Sequence, residues 1–194
     1  MRRHRPLACA VAMMAWAAAL TGCSSPNPAR YTIGVQDGPI VQGAPKVIEL
    51  RDIGLAGYLD RPQIVRSSDG YRLDIMANDT WGEPLGGMIA RVLSIELAQR
   101  LPGSNVYSGR SAIAGNADAV IEVNIQRMDA TADGNLMLLA QVAVRFRNKP
   151  QPVARTVTIS RPLAGVSTAD EVAAISAALA DLADGLATML RQQG

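Results

Sequence analysis

Apolar positions recur along this chain with two different spacings, and each spacing predicts a type of element. Tyr31 to Val35 reads as a first strand, followed by a Gly/Pro loop. Lys46 to Ile53 alternates, with Ile48 and Leu50 on one face and Glu49 and Arg51 on the other. Gln63–Arg66 and Tyr71–Met76 flank Ser67-Ser68-Asp69-Gly70, where Asp-Gly suits a tight hairpin turn. In the second arm Tyr71, Leu73 and Ile75 alternate with Arg72 and Asp74, which predicts a half-buried strand.

The period then lengthens. Leu85, Ile89, Val92, Leu93, Leu97 and Leu101 share one face of a helix over about residues 83–101. Pro84 fits its first turn, and Pro102-Gly103 ends it. A short strand follows at Asn105–Tyr107. Asp118–Met128, Leu136–Arg147 and Val153–Arg161 read as an antiparallel meander, with turns at Asp133-Gly134-Asn135 and Asn148-Lys149-Pro150. A last helix is expected over about residues 169–192. Its stripe is Val172, Ile175, Leu179, Leu182, Leu186 and Met189, and most other positions are Ala. Thr168 and Glu171 have capping-box spacing. Such an Ala-rich helix can dock on its own sheet alone or also against a neighbouring subunit. The elements predict an α+β fold: a largely antiparallel sheet with two main helices on one face.

The N-terminus does not belong to that fold. Arg2, Arg3 and Arg5 precede an uncharged, Ala-rich run from Leu7 to Leu20, and Leu20-Thr21-Gly22-Cys23 closes it. That order is the pattern of a secretory signal, and the apolar run is short for a membrane span of about 20 residues. An uncleaved anchor helix is the alternative. Leu-Thr-Gly-Cys resembles the lipobox of bacterial lipoproteins. The resemblance implies cleavage between Gly22 and Cys23 and a diacylglyceryl and acyl modification of Cys23, which becomes the mature N-terminus. Three acyl chains anchor stably where one does not. Ser24, instead of Asp, favours the outer membrane's periplasmic face under the sorting rule for such proteins. The expected organisation is a signal peptide at 1–22, a lipidated tether at 23–30 and one domain at 31–194. The tether contains Pro26 and Pro28 and reaches roughly 25 Å at most.

Composition narrows the chemistry. Cleavage leaves 172 residues, enough for one domain with a core. Three of the 19 basic residues leave with the signal, so 16 face 17 acidic ones. The net charge near zero and the two lysines, Lys46 and Lys149, give no nucleic-acid footprint. Cys9 and His4 lie in the signal and Cys23 carries the lipid, so the mature domain has no free thiol and no imidazole. Disulfides, Cys or His metal ligands and Ser-His-Asp triads are thereby excluded, and no cofactor is expected beyond the covalent lipid. Asp129, Asp133 and Asn135 do not meet the calcium-loop spacing and read as a hairpin turn.

Two internal blocks stand out: Tyr58-Leu59-Asp60-Arg61-Pro62-Gln63-Ile64-Val65 and Trp81-Gly82-Glu83-Pro84-Leu85, the second leading into Arg91. Together with the lipobox, an early Tyr-x-Ile strand and an Ala-rich C-terminal helix, they make the chain resemble the PqiC family over essentially its whole mature length. These are ABC-type transport auxiliary lipoproteins that accompany MCE-protein systems moving lipids between two membranes. The resemblance implies an accessory subunit that docks a periplasm-spanning MCE-domain protein and supports membrane integrity, with room for homo-oligomerisation. It implies no catalysis.

Asp60, Arg61, Gln63, Trp81 and Glu83 are the candidate partner-binding residues, since polar clusters on loops beside a rigid sheet commonly present partner surfaces. Bland readings stand beside this one. Pro62 suits the first residue of a strand, Trp81 can simply pack between helix and sheet, and Glu83 suits a helix N-terminus. Two other functions compete. One is an assembly lipoprotein partnering an outer-membrane barrel. The other is a carbohydrate-active enzyme using Asp60, Asp79 and Glu83 as a carboxylate pair.

Overall fold

The alternating runs become strands because each can bury one face against the helices. The computed structural model describes residues 27–67, 69–109 and 116–193. The expected signal segment, the Gly22–Cys23 cleavage pair and the lipid-attachment residue Cys23 lie outside them. The elements in chain order are β1 (Ala29–Tyr31), β2 (Val47–Leu50), β3 (Gly54–Leu55), β4 (Gln63–Ser67), β5 (Leu73–Trp81), α1 (Leu85–Arg100), β6 (Asn105–Ser108), β7 (Ala119–Ala130), β8 (Asn135–Phe146), β9 (Val153–Pro162) and α2 (Thr168–Gln193).

The fold is α+β, with the strands divided between two mixed sheets. One is three-stranded, in the order β1-β5-β4. The other runs β6-β2-β7-β8-β9, with β3 also paired to β7. The β7–β8–β9 meander is antiparallel, as its turn residues require. Gly134 supplies the left-handed turn conformation at φ 77° between β7 and β8. β2 runs parallel to both β6 and β7, and β1 runs parallel to β5. Parallel pairs need long crossovers, and β2 reaches β6 only through the β4–β5 hairpin and α1.

Both helical stripes are buried. Leu85, Ile89, Val92, Leu93 and Leu97 of α1, and Val172, Ile175, Leu179, Leu182, Leu186 and Met189 of α2, belong to one core. The strand residues facing them include Ile121, Val123, Ile125, Leu138, Val142 and Phe146. Buried Ala174, Ala178, Ala183 and Ala187 let α2 approach its neighbours closely, and it contacts α1 as well as β7, β8 and β9.

The structure departs from the sequence expectation in four places. The first strand stops at Tyr31, because the next amides find partners on the helices. Ile33 N–H donates to Met88 Sδ (3.2 Å), Gly34 N–H to Ser176 Oγ (3.1 Å) and Gln36 N–H to Glu96 Oε1 (2.8 Å). Residues 32–41 therefore form a strap across α1 and α2, gripped by the fully buried Arg100. Its guanidinium donates to Gln36 O (3.1 Å), Asp184 Oδ1 (2.5 Å) and Ala180 O (3.3 Å). A Cβ at Gly38 would collide with that guanidinium. Second, the strand expected over 46–53 is shorter, and its continuation appears as β3, which pairs separately with β7.

Third, the β4–β5 hairpin turns its apolar alternation outward. Gly70, at φ 78°, makes the turn. Register pairs Val65 with Ile75, Arg66 with Asp74 and Ser67 with Leu73. Arg66 faces α2, donating to Glu171 Oε2 (2.6 Å), while the opposite row joins buried Val65 and Ser67 of β4 to exposed Ile75 and Leu73 of β5. Tyr71, Leu73 and Ile75 are left 94%, 44% and 50% exposed. Fourth, the cap of α2 sits one residue earlier than its spacing suggests. Ser167 Oγ accepts Asp170 N–H (3.1 Å) and Asp170 Oδ2 accepts Ser167 N–H (3.1 Å). Thr168 instead donates to Asp79, and Glu171 turns inward to Arg66 and Ala130 N–H.

Candidate functional site

The two distinctive sequence blocks meet through backbone bonds. Between β3 and β4 the chain turns tightly: Leu59 N–H donates to Ala56 O and Arg61 N–H to Leu59 O, both at 2.8 Å. Leu59 is buried and pins the turn. Tyr58 ties it to β7 by donating to Asp129 Oδ2 (2.5 Å). Burial first, and then the Asp129 carboxylate, push the Tyr58 phenol well above its ordinary range, so it remains a donor. Pro62 brings no N–H, but its carbonyl accepts Trp81 N–H at 2.7 Å, and Gly82 N–H continues to Tyr31 O at 2.9 Å. The loop before β4 is thus stapled to the junction between β5 and α1.

Between them lies a groove of about 360 Å³, lined by Asp60, Arg61, Pro62, Trp81, Glu83, Pro84 and Leu85. Trp81, 8% exposed, and Leu85 form an apolar floor that is continuous with the core. Asp60 and Glu83 stand exposed at its walls. Arg91, one turn into α1, holds Glu83 through Nη2 (2.6 Å) and Nε (3.3 Å). Both side chains of this pair are nearly half exposed, so it adds at most about 1 kcal/mol and serves to orient Glu83. Arg61 is half-buried, and its buried Nε has no hydrogen-bond partner among the described residues. A smaller depression of about 200 Å³ adjoins, sharing Asp60 and Pro84 and adding Asp52, Gly86 and Gly87.

Four of the five candidate residues therefore share one groove: Asp60, Arg61, Trp81 and Glu83. Gln63 does not line it. It borders a small closed space behind Trp81, with Leu59, Ile64, Leu85 and Met128. Of the three carboxylates, two come together and one does not. Asp60 and Glu83 line the groove, whereas Asp79 accepts Thr168 Oγ1 (2.6 Å) at the start of α2. Trp81 both packs in the core and floors the groove, so its two sequence readings are not exclusive. Sequence reasoning missed Asp52, Gly86 and Gly87. Two glycines in a helix's first turn cost about 1 kcal/mol each relative to Ala, and that cost was the available signal.

The sequence profile of the ABC-type transport auxiliary lipoprotein component matches residues 31–187, a span that contains every groove residue. The chain belongs to this family. Two crystal structures share the lipoprotein's fold. One, of an uncharacterised protein, has a TM-score of 0.73 at 15% identity and covers 84% of this chain and 98% of its own. The other, a Xanthomonas campestris protein of the DUF330 family, has a TM-score of 0.70 at 17% identity, covering 85% and 97%. No curated protein matches the chain by sequence.

Proposed function

We propose that this auxiliary lipoprotein is held by a lipid on Cys23 at the periplasmic face of the outer membrane. There it docks the MCE-domain component of an intermembrane lipid-transport system through the Asp60–Glu83 groove. The observation that carries the docking is convergence. Two blocks about 20 residues apart in sequence build one concave surface with an apolar floor, acidic walls and an unsatisfied arginine donor. Buried donors in native folds nearly always have a partner, and a docked backbone carbonyl or carboxylate would satisfy Arg61 Nε. The fitting segment would place an apolar side chain on Trp81 and Leu85 and a cation between Asp60 and Glu83. The role is binding and positioning, in support of membrane integrity, and it needs no catalytic group.

The test is co-purification of the lipidated chain from membranes. Asp60→Lys combined with Arg61→Glu reverses the groove's charges and leaves its apolar floor intact, and a melting temperature read alongside separates lost docking from lost folding. Recovery of the MCE protein should fall at least about tenfold, as truncating desolvated charged contacts does. Undiminished recovery rejects the groove. Failure of the unaltered protein to recover any MCE-type partner rejects the function, and crosslinking to a barrel protein instead selects the assembly reading.

A further inference from the structure

Of the exposed large apolar residues, Tyr71, Leu73, Ile75 and Val166 gather at one end of the molecule. Arg66 joins the last to the hairpin by donating to Val166 O at 3.0 Å, and Arg66, Asp74 and Val166 border one depression. Tyr71 and Val166 are 94% and 90% exposed, the most open of the set. The outward phase of the hairpin is what creates this patch. Its charges leave no basic excess: Arg72 stands between Asp69 (3.9 Å) and Asp74 (3.4 Å).

The direction of β1 says what lies beside this patch. β1 runs parallel to β5, with Ala29 opposite Asp79 and Tyr31 opposite Trp81. The chain therefore runs into β1 from the hairpin side, although Ala29 itself pairs near the Trp81 end, about 20 Å from Leu73. Cys23 precedes Ala29 by six residues, a reach of at most about 20 Å, so an extended tether brings it level with Leu73. Trp81, at the other end of β5, stands about 26 Å from Leu73.

We infer that the β4–β5 hairpin tip is a second membrane contact, in which Tyr71, Leu73 and Ile75 enter the interface of the bilayer that holds Cys23. This rests on the lipid attachment proposed above. A tyrosine flanked by aliphatic residues suits the level of the headgroups, where an amphipathic ring is favoured. The lack of a basic excess favours zwitterionic over anionic lipid, without the salt sensitivity of polybasic segments. Two contacts fix orientation where one lipid only tethers. They leave the Asp60–Glu83 groove facing away from the membrane.

The full lipidated chain, reconstituted into vesicles of phosphatidylethanolamine and phosphatidylcholine, provides the test. Tyr71→Trp places an indole probe at an exposed site that folding does not need. Ala154→Trp, at the far end of β9, is the reference, and Trp81 supplies a common background. Brominated acyl chains should remove roughly half of the emission added at position 71 and little of that at 154, equally at low and high salt. Several outcomes overturn the inference. If protein sediments with vesicles but the indole at position 71 meets only aqueous quencher, the hairpin stands clear of the bilayer and the anchor survives. If that indole is shielded from water without quenching by bromine, a protein covers the strand instead. If the unaltered chain fails to sediment, the anchor fails and takes this contact with it.

Discussion

At the scale of single residues, the core holds charges that it must neutralise internally. Glu96 is fully buried, with Oε1 accepting Gln36 N–H and Oε2 lacking a hydrogen-bond partner among the described residues. Burial raises its pKa above the ordinary glutamate range. The Gln36 amide and Arg100 pull it down by less, and Asp184 adds to the rise. Glu171 is raised too, also by burial, although Arg66 and Ala130 N–H both oppose the shift. A raised folded-state pKa means that the folded chain keeps a proton the unfolded chain gives up. The associated stability is present below the unfolded glutamate value of about 4.3 and is lost as pH climbs through the folded value. Glu96→Gln cannot titrate. Its melting temperature relative to the unaltered protein should therefore improve steadily as pH rises from about 4 toward about 8, which thermal melts across that range would show. The histidine-free core was legible in sequence, but the burial of Glu96 and Arg100 was not. Both fall by spacing within the apolar stripe of α1, seven residues after Ile89 and Leu93, and only the strap at 32–41 supplies the partners that let them be buried there.

At the scale of elements, local chemistry decides boundaries and long-range pairing decides faces. The start of α2 is a local matter. The reciprocal Ser167–Asp170 bonds make Ser167 the cap, and hydrogen bonds from Ser167 hold the Asp170 carboxyl below its usual range. Ser167→Ala should cost about 1 kcal/mol in urea denaturation, typical of a lost N-cap. The helix stripes and the meander were readable because burial on one side imposes a period that every residue in the element repeats. The hairpin was not. Its alternation announces a strand but carries no sign of which side chains are covered, and only the fold turns Arg66 to buried Glu171 while Leu73 and Ile75 stay exposed. That pairing is supportable because Glu171 accepts from both Arg66 and Ala130, leaving neither oxygen unpaired. β1, only three residues long, falls short of its expected length, since the helices take the amides after Tyr31.

At the scale of the whole molecule, β5 separates two surfaces to which different partners are proposed. Its hairpin end carries the apolar tip, and its other end, where β1 pairs, carries Trp81 and the groove. Changes about 26 Å apart with no shared partners should act independently. Tyr71→Ser with Ile75→Ser should release the hairpin from the bilayer while leaving recovery of the MCE protein unchanged. Asp60→Lys with Arg61→Glu should do the reverse. Measuring lipid quenching and co-purification on both variants checks the separation. Loss of both properties in either variant would show a single shared surface. A short tether limits how far the domain stands from Cys23, and a second contact at the hairpin is what would set the groove at the far end.

The chain's own order of residues determined which segments are strands and helices, where most turns fall, and which two blocks are unusual. Each of these depends on neighbours within a few positions, where spacing and turn chemistry act directly. Only the tertiary structure decided that those blocks share a groove, that Gln63 leaves it, that the strap covers Glu96 and Arg100, and that the hairpin faces outward. These outcomes depend on contacts between residues far apart in the chain, such as Gln36 with Glu96 and Arg66 with Glu171. No periodicity records such contacts. They are set by which buried polar groups can find partners once the helices have docked on the sheet.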